Sequence, residues 1–168
     1  MKIEIGRRCW IAAYTRPRHE RQVAKQLGQK HLEYLLPTYE RLLRWSDRIK
    51  RVETPLFPNY IFVHISESER LSTLQTMGIV NLVTAGAAPA ILADEEIDRL
   101  RICSARISDV EPHPYLKIGR RVRVKHGPFA GWEGTLVEKQ NSRRLIVTIE
   151  QIMQSMALNI HMADVEPL

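Results

Sequence analysis

A chain of 168 residues, 44% hydrophobic and 26% charged, has the length of one ordinary domain or two small ones and the composition of a folded protein. No apolar run approaches the roughly 18 residues that span a bilayer, no export signal opens the chain, and Cys9 and Cys103 lack metal-site spacing, so a cytoplasmic protein is expected. The net charge of +6 divides into a basic front (13 Lys/Arg against 5 Asp/Glu in residues 1–51), an acidic middle (4 against 9 in 52–112) and a basic end (8 against 5 in 113–168). That distribution predicts one face for nucleic acid and another for a less anionic partner.

Trp10 to Thr15 is a short apolar run fit for a buried strand. Pro17 suits a first helical position, and helix formers follow to Lys30, with Val23 and Leu27 inward and Arg18, Arg21, Gln22, Lys25 and Gln29 outward. Leu35 to Trp45 is extended, broken by Pro37, and Arg44 to Arg51 reads as a charged, mobile hairpin tip. Leu56 to Ile65 is the strongest strand signal of this half. Ser66 then caps a helix over Glu67 to Met77, Gly78 stops it, and Ile79 to Thr84 is a further strand. The chain turns over Gly86 to Pro89, and Asp94 caps a helix to about Ser104 with Glu95 and Glu96 in its first turn. This order predicts an α+β domain, an antiparallel sheet flanked by helices, over residues 1–106. Residues 107–116, with Pro112 and Pro114, read as a linker.

Residues 117–168 carry only strand patterns. Val122 and Val124 alternate with Arg121, Arg123 and Lys125; Gly127-Pro128 turns the chain; strands are expected over Trp132 to Glu138, Leu145 to Ile149, Ala157 to His161 and Asp164 to Glu166. Gln140 to Arg143 is read as a hairpin turn. About five short strands predict a small closed barrel of the SH3-like kind. The β-branched run Val147, Thr148, Ile149 argues for strands over Leu145 to Met156 rather than a helical hairpin, although Ile152, Met153 and Met156 also fit a short helical stripe.

Two motifs carry a resemblance. PLFPNYIFV, Pro55 to Val63, follows a Trp-led strand and helix (WIAAYTRPRHERQVAKQL) and precedes LVTAGAAPAIL; GRRVRVKHGPFAGWEG, Gly119 to Gly134, places Gly127, Gly131 and Gly134 where tight turns and bends suit them. In this order the segments resemble the NusG family of transcription elongation factors, an NGN domain followed by a KOW domain. The form Phe57-Pro58-Asn59-Tyr60 resembles the specialised RfaH-type branch; Asn tolerates left-handed backbone nearly as Gly does.

The resemblance implies antitermination without enzymatic activity and without a cofactor, by a monomer. It implies a patch of Tyr14, Phe57, Pro58, Tyr60, Phe62, Ile79 and Val83 gripping the clamp helices of the largest RNA polymerase subunit. Strand alternation sets Phe57, Asn59 and Ile61 on one side and Tyr60 and Phe62 on the other, unless Pro58 re-aims them, so half of that list is expected in the core. Tyr60 and Phe62 are the preferred contacts. Arg16, Arg18, His19 and Arg21 on the first helix, and Arg44, Arg48, Lys50 and Arg51 on the hairpin, are implied contacts to the non-template DNA strand, arginine serving both phosphate and base stacking. Phe129, Ile149, Ile152 and Met156 are implied contacts of the KOW domain to ribosomal protein S10, the termination factor Rho, or both; Phe129 and Ile149 fit a core role equally. No phosphate loop and no H-E-x-x-H occurs, and the six histidines lack ligand spacing. The alternative is a ribosome-associated KOW protein binding rRNA, which the acidic middle disfavours.

Overall fold

A computed structural model describes residues 7–44, 49–105, 110–113, 120–139, 142–160 and 164–168. In chain order the elements begin β1 (Cys9–Thr15), α1 (Glu20–Gln29), β2 (Glu33–Leu35), β3 (Thr38–Arg44), β4 (Ile49–Pro55), β5 (Tyr60–Ile65), α2 (Arg70–Leu74) and β6 (Ile79–Leu82). The short strands β7 (Thr84–Ala85), β8 (Ala88–Pro89) and β9 (Ile91–Leu92) lead to α3 (Asp94–Ala105). The rest is β10 (Val110–His113), β11 (Arg120–Val124), β12 (Glu133–Lys139), β13 (Ser142–Ile149), β14 (Gln154–Asn159) and β15 (Val165–Pro167). The fold is thus a mixture of helices and antiparallel sheets. Two compact units form, Met1–Pro37 with Phe57–Arg101, and Thr38–Leu56 with Ile102–Leu168.

In the first unit the sheet runs β2-β5-β1-β6, with β9 also paired to β1. The apolar run of β1 is central, so both of its faces are covered: Trp10 through Ala13 are all buried. One face sets Ile11, Ala13, Ile61, Val63 and Ile65 against Val23, Ala24 and Leu27 of α1, the stripe that the helical spacing predicts. Helix α1 starts at Glu20, three residues later than expected, because Arg18 has a left-handed φ of 64°, which a right-handed helix excludes. Gly78 closes the unit beneath it. Its φ is +105°, and a Cβ there would stand 2.9 Å from Val23 Cγ2 and 3.1 Å from His19 Cβ.

Ser66 caps as expected, in a capping box with Glu69, whose carboxylate accepts the Ser66 amide at 2.9 Å. That amide, with the Ser66 hydroxyl and Arg8, holds the Glu69 carboxyl below the ordinary glutamate range against the opposing pull of burial. The helix expected over 67–77 is instead a single 3-10 turn, Glu67–Glu69, and the five residues of α2. Thr73 and Thr76 donate back to the carbonyls of Glu69 and Ser72, at 2.8 and 3.3 Å, a back-bonding that slightly destabilises a helix. Asp94 is the first residue of α3 rather than its cap; the preceding Ala93 amide goes to the Glu96 carboxylate at 2.9 Å.

In the second unit β3 and β4 form a separate two-stranded ribbon, paired from Thr38↔Pro55 to Arg44↔Ile49. Half of the expected hairpin tip, Arg44 and residues 49–51, is therefore strand, while residues 45–48, including Arg48, lie outside the described residues. The remaining strands make a six-stranded sheet in the order β10-β14-β13-β12-β11-β15. Val122 and Val124 are buried and Arg121, Arg123 and Lys125 exposed, as their alternation predicts. Strand β10 falls inside the segment read as a linker: Pro112, which lacks an N–H, is tolerated because β10 is an edge strand, paired among the described residues with β14 alone. Residues 145–156 are strand, a 3-10 turn (Glu150–Ile152) and strand, not a helical hairpin. Gly134 permits close strand packing there, since a Cβ would collide with the Ile146 carbonyl.

Candidate functional site

The β1–β5 register pairs Trp10 with His64, Ala12 with Phe62 and Tyr14 with Tyr60, so these six share the sheet face opposite α1. At one end of that face Trp10 stacks on His64, with ring centroids 4.9 Å apart, and the Arg101 guanidinium lies 5.4 Å from the Trp10 ring centroid. Glu33 joins His64 at 2.7 Å and Arg101 at 3.0 Å. This end is occupied by the protein's own side chains.

The other end presents Tyr14 and Tyr60, half-buried and edge to face at 5.3 Å. Burial first, and Tyr14 second, push the Tyr60 phenol above its ordinary range, so it stays a neutral hydroxyl able to donate a hydrogen bond. Around them lie exposed Pro58 and half-buried Val83. Exposed Asn81, paired with Tyr14 across β6, was not singled out from the sequence; its polar side chain in an apolar strand is the signal that marks it.

Three residues of the expected patch are core instead. Phe62 is 0% exposed and Phe57 packs edge-on against it, centroids 6.0 Å apart. The space for both comes from Ala12, small and directly opposite Phe62. Phe57 reaches this side because strand alternation does not run through it: β5 begins only at Tyr60, after a turn over Pro58 and Asn59, with Tyr60 N–H donating to the Phe57 carbonyl at 3.1 Å. Ile79 is buried with the α1-facing core.

That turn is held on both sides. Asn59 has a φ of 69°, the left-handed geometry that its residue type tolerates. Its amide donates to Glu20 Oε1 at 2.8 Å, and its carbonyl accepts the Thr15 amide at 2.7 Å. The basic segment follows directly from β1. Arg16, Arg18 and Arg21 are exposed, the first two on the loop before α1 rather than on the helix, with the Arg16 amide fixed to the Gly78 carbonyl at 2.8 Å. His19 departs from the expected exposed contact: it is half-buried, and its Nδ1 donates to the Pro17 carbonyl at 3.0 Å.

On the ribbon the expected basic stripe divides. Arg51 pairs across from Leu42, and Lys50 from Leu43, so Lys50 and Arg51 face opposite ways. Arg51 lies 3.6 Å from Glu40, and Arg44 is the last described rung, opposite Ile49. Leu42 and Ile49 are exposed on the Arg51 face.

All four partner residues expected in the carboxy-terminal sheet are buried: Phe129, which packs on Trp132 at 5.0 Å, with Ile149, Ile152 and Met156. So small a unit needs its large apolar residues for its own core. Among its described residues it exposes Met153, at a left-handed φ of 48°, and Leu168, and it has a polar groove lined by Arg121, Glu133, Thr135, Thr148 and Glu150.

Neither cysteine has the lowered pKa of an activated thiol. Burial pushes the Cys103 thiol up to about 12 and raises that of Cys9, the opposite of an activated nucleophile. No group of His, Cys, Asp and Glu among the described residues has a metal-binding arrangement, and no helix among them is long and apolar enough to cross a membrane.

Comparison with known proteins agrees with this anatomy. Two relatives, the transcription termination/antitermination proteins NusG of Staphylococcus aureus strains Mu50 and N315, are each 24% identical over 184 aligned positions covering all of both chains. The solved structure of Thermotoga maritima NusG has the same fold, with a TM-score of 0.64 at 18% identity over 96% of this chain and 98% of that one. The family model described as transcription termination factor nusG matches residues 8–101, which hold the β1–β5 sheet, the pinned turn and the Tyr14–Tyr60 face, and the chain belongs to the NusG family.

Proposed function

We propose that this protein binds RNA polymerase through the Tyr14–Tyr60 face, suppresses pausing or termination, and recruits a second partner through its carboxy-terminal unit. As a NusG-family chain it is a transcription termination/antitermination factor, not an enzyme. The observation that carries the polymerase reading is the half-exposed aromatic pair of β1 and β5, beside a turn fixed from both sides. Rigid, partly buried aromatics make good contact anchors because they bury much area at small entropic cost. The occupant proposed is the clamp helices of the largest subunit, with Pro58, Val83 and Asn81 at the rim of the contact.

The exposed Arg16, Arg18 and Arg21 are the proposed contacts to the non-template DNA strand of the transcription bubble, with Lys50 and Arg51 on separate faces of the ribbon as further cations. The carboxy-terminal strands are proposed to form a KOW domain of the SH3-like barrel type. Its partner, ribosomal protein S10, Rho or both, would meet Met153 and the polar groove, since Phe129, Ile149, Ile152 and Met156 are buried. The proposed division is an NGN domain over residues 1–106 and a KOW domain over 117–168. The Asn59 form of the turn favours the specialised RfaH-type branch, acting as a monomer in the cytoplasm.

Binding to elongation complexes with varied non-template strands, followed by a read-through assay, tests this function. Single-strand binding is expected to weaken with salt at a log–log slope of about −0.7 per phosphate neutralised. Alanine at Arg16, Arg18 and Arg21 together should flatten that slope and leave polymerase binding in place. An unchanged slope would remove these arginines from the DNA contact.

A further inference from the structure

Glu20 is a buried carboxylate that the proposed contacts leave unused. It is the first residue of α1, where solvent is the ordinary place for an acid, yet it is only 6% exposed. A carboxylate buried this far requires hydrogen bonds to offset its lost hydration. Its Oε1 spends one of its lone pairs on the backbone amide of Asn59, at 2.8 Å.

The geometry around that bond gives it consequence. Asn59 is left-handed at φ 69°, a backbone form that persists in a non-glycine residue when its surroundings hold it there. Glu20 holds the amide of this residue and Thr15 holds its carbonyl, at 2.7 Å. The residue after Asn59 is Tyr60 and the residue before Thr15 is Tyr14, so the two anchors lie at the base of the aromatic pair.

We infer that Glu20 is a positioning residue: through the Asn59 amide it fixes the Pro58–Asn59 turn in the form that sets Tyr60 against Tyr14. The inference rests on the polymerase reading of that pair and adds to it a residue that does not itself touch the polymerase. It also makes the first turn of α1, next to Arg18 and Arg21, part of the support of the aromatic face.

The test uses the full chain, with Glu20→Ala and Glu20→Gln and with Tyr60→Ala as reference. Two quantities are read: amide hydrogen exchange at Asn59 relative to Ile61 and Val63, and affinity for RNA polymerase. Glu20→Ala should speed Asn59 exchange about tenfold more than exchange at the two core amides, as for loss of a charge-assisted hydrogen bond. It should also weaken polymerase binding about fivefold or more, part of what a contact anchor carries. Glu20→Gln keeps an acceptor oxygen and should restore both quantities to within about threefold of wild type. Unchanged Asn59 exchange in Glu20→Ala overturns the inference, as does a Gln variant that behaves like Ala. So does faster exchange with unchanged polymerase affinity while Tyr60→Ala binds weakly. If Tyr60→Ala itself binds as wild type does, the polymerase reading falls and the positioning role falls with it, while Asn59 exchange separately shows whether the turn was held.

Discussion

Tyr60→Ala is expected to weaken RNA polymerase binding by about 2 kcal/mol or more, roughly 30-fold, the loss typical of an aromatic contact anchor. The ring is half-buried by its own neighbours, so the variant also loses its edge-to-face contact with Tyr14. Core packing on the opposite sheet face, among Ile61, Val63 and α1, does not involve it. The melting curve should therefore move little while affinity falls. Titration of labelled protein with core polymerase measures the effect, and binding within twofold of wild type from a normally melting variant would reject Tyr60 as an anchor.

Phe62→Ala should act in the reverse manner. This ring is fully buried between Phe57 and the space left by Ala12, and removing it leaves a large cavity. Such substitutions cost about 3–5 kcal/mol, a large part of the ~5–15 kcal/mol that holds a typical domain together. Urea unfolding of the variant should show that loss in its midpoint, and polymerase binding should fall only as the folded fraction falls. A cost below about 1 kcal/mol would mean that the ring is not packed as described.

The difference between these two residues was not legible in the sequence, although both were the preferred contacts. Alternation tells which residues share a sheet face, but not how far another side chain covers that face. Phe57, brought round by the Pro58–Asn59 turn, packs on the fully buried Phe62, while Tyr60 stays half-buried. The same limit explains Phe129, Ile149, Ile152 and Met156: an apolar residue in a small β unit is needed inside before it is available outside. What was legible came from period and residue type, as with Val23 and Leu27 on α1, Val122 and Val124 on β11, and Asn59 in its left-handed turn. Strand β10 was missed because Pro112 hides an edge strand, which needs fewer ladder hydrogen bonds than a central one. The late start of α1 was missed because nothing in the residue type of Arg18 announces a positive φ.

The most direct test of the account places a photo-crosslinking amino acid at position 60 of the full chain and mixes the protein with both transcription elongation complexes and ribosomal subunits. The account predicts co-sedimentation with the elongation complexes and a crosslink to the clamp helices of the largest polymerase subunit. Co-sedimentation with ribosomal subunits through rRNA, with no crosslink to polymerase, would contradict it.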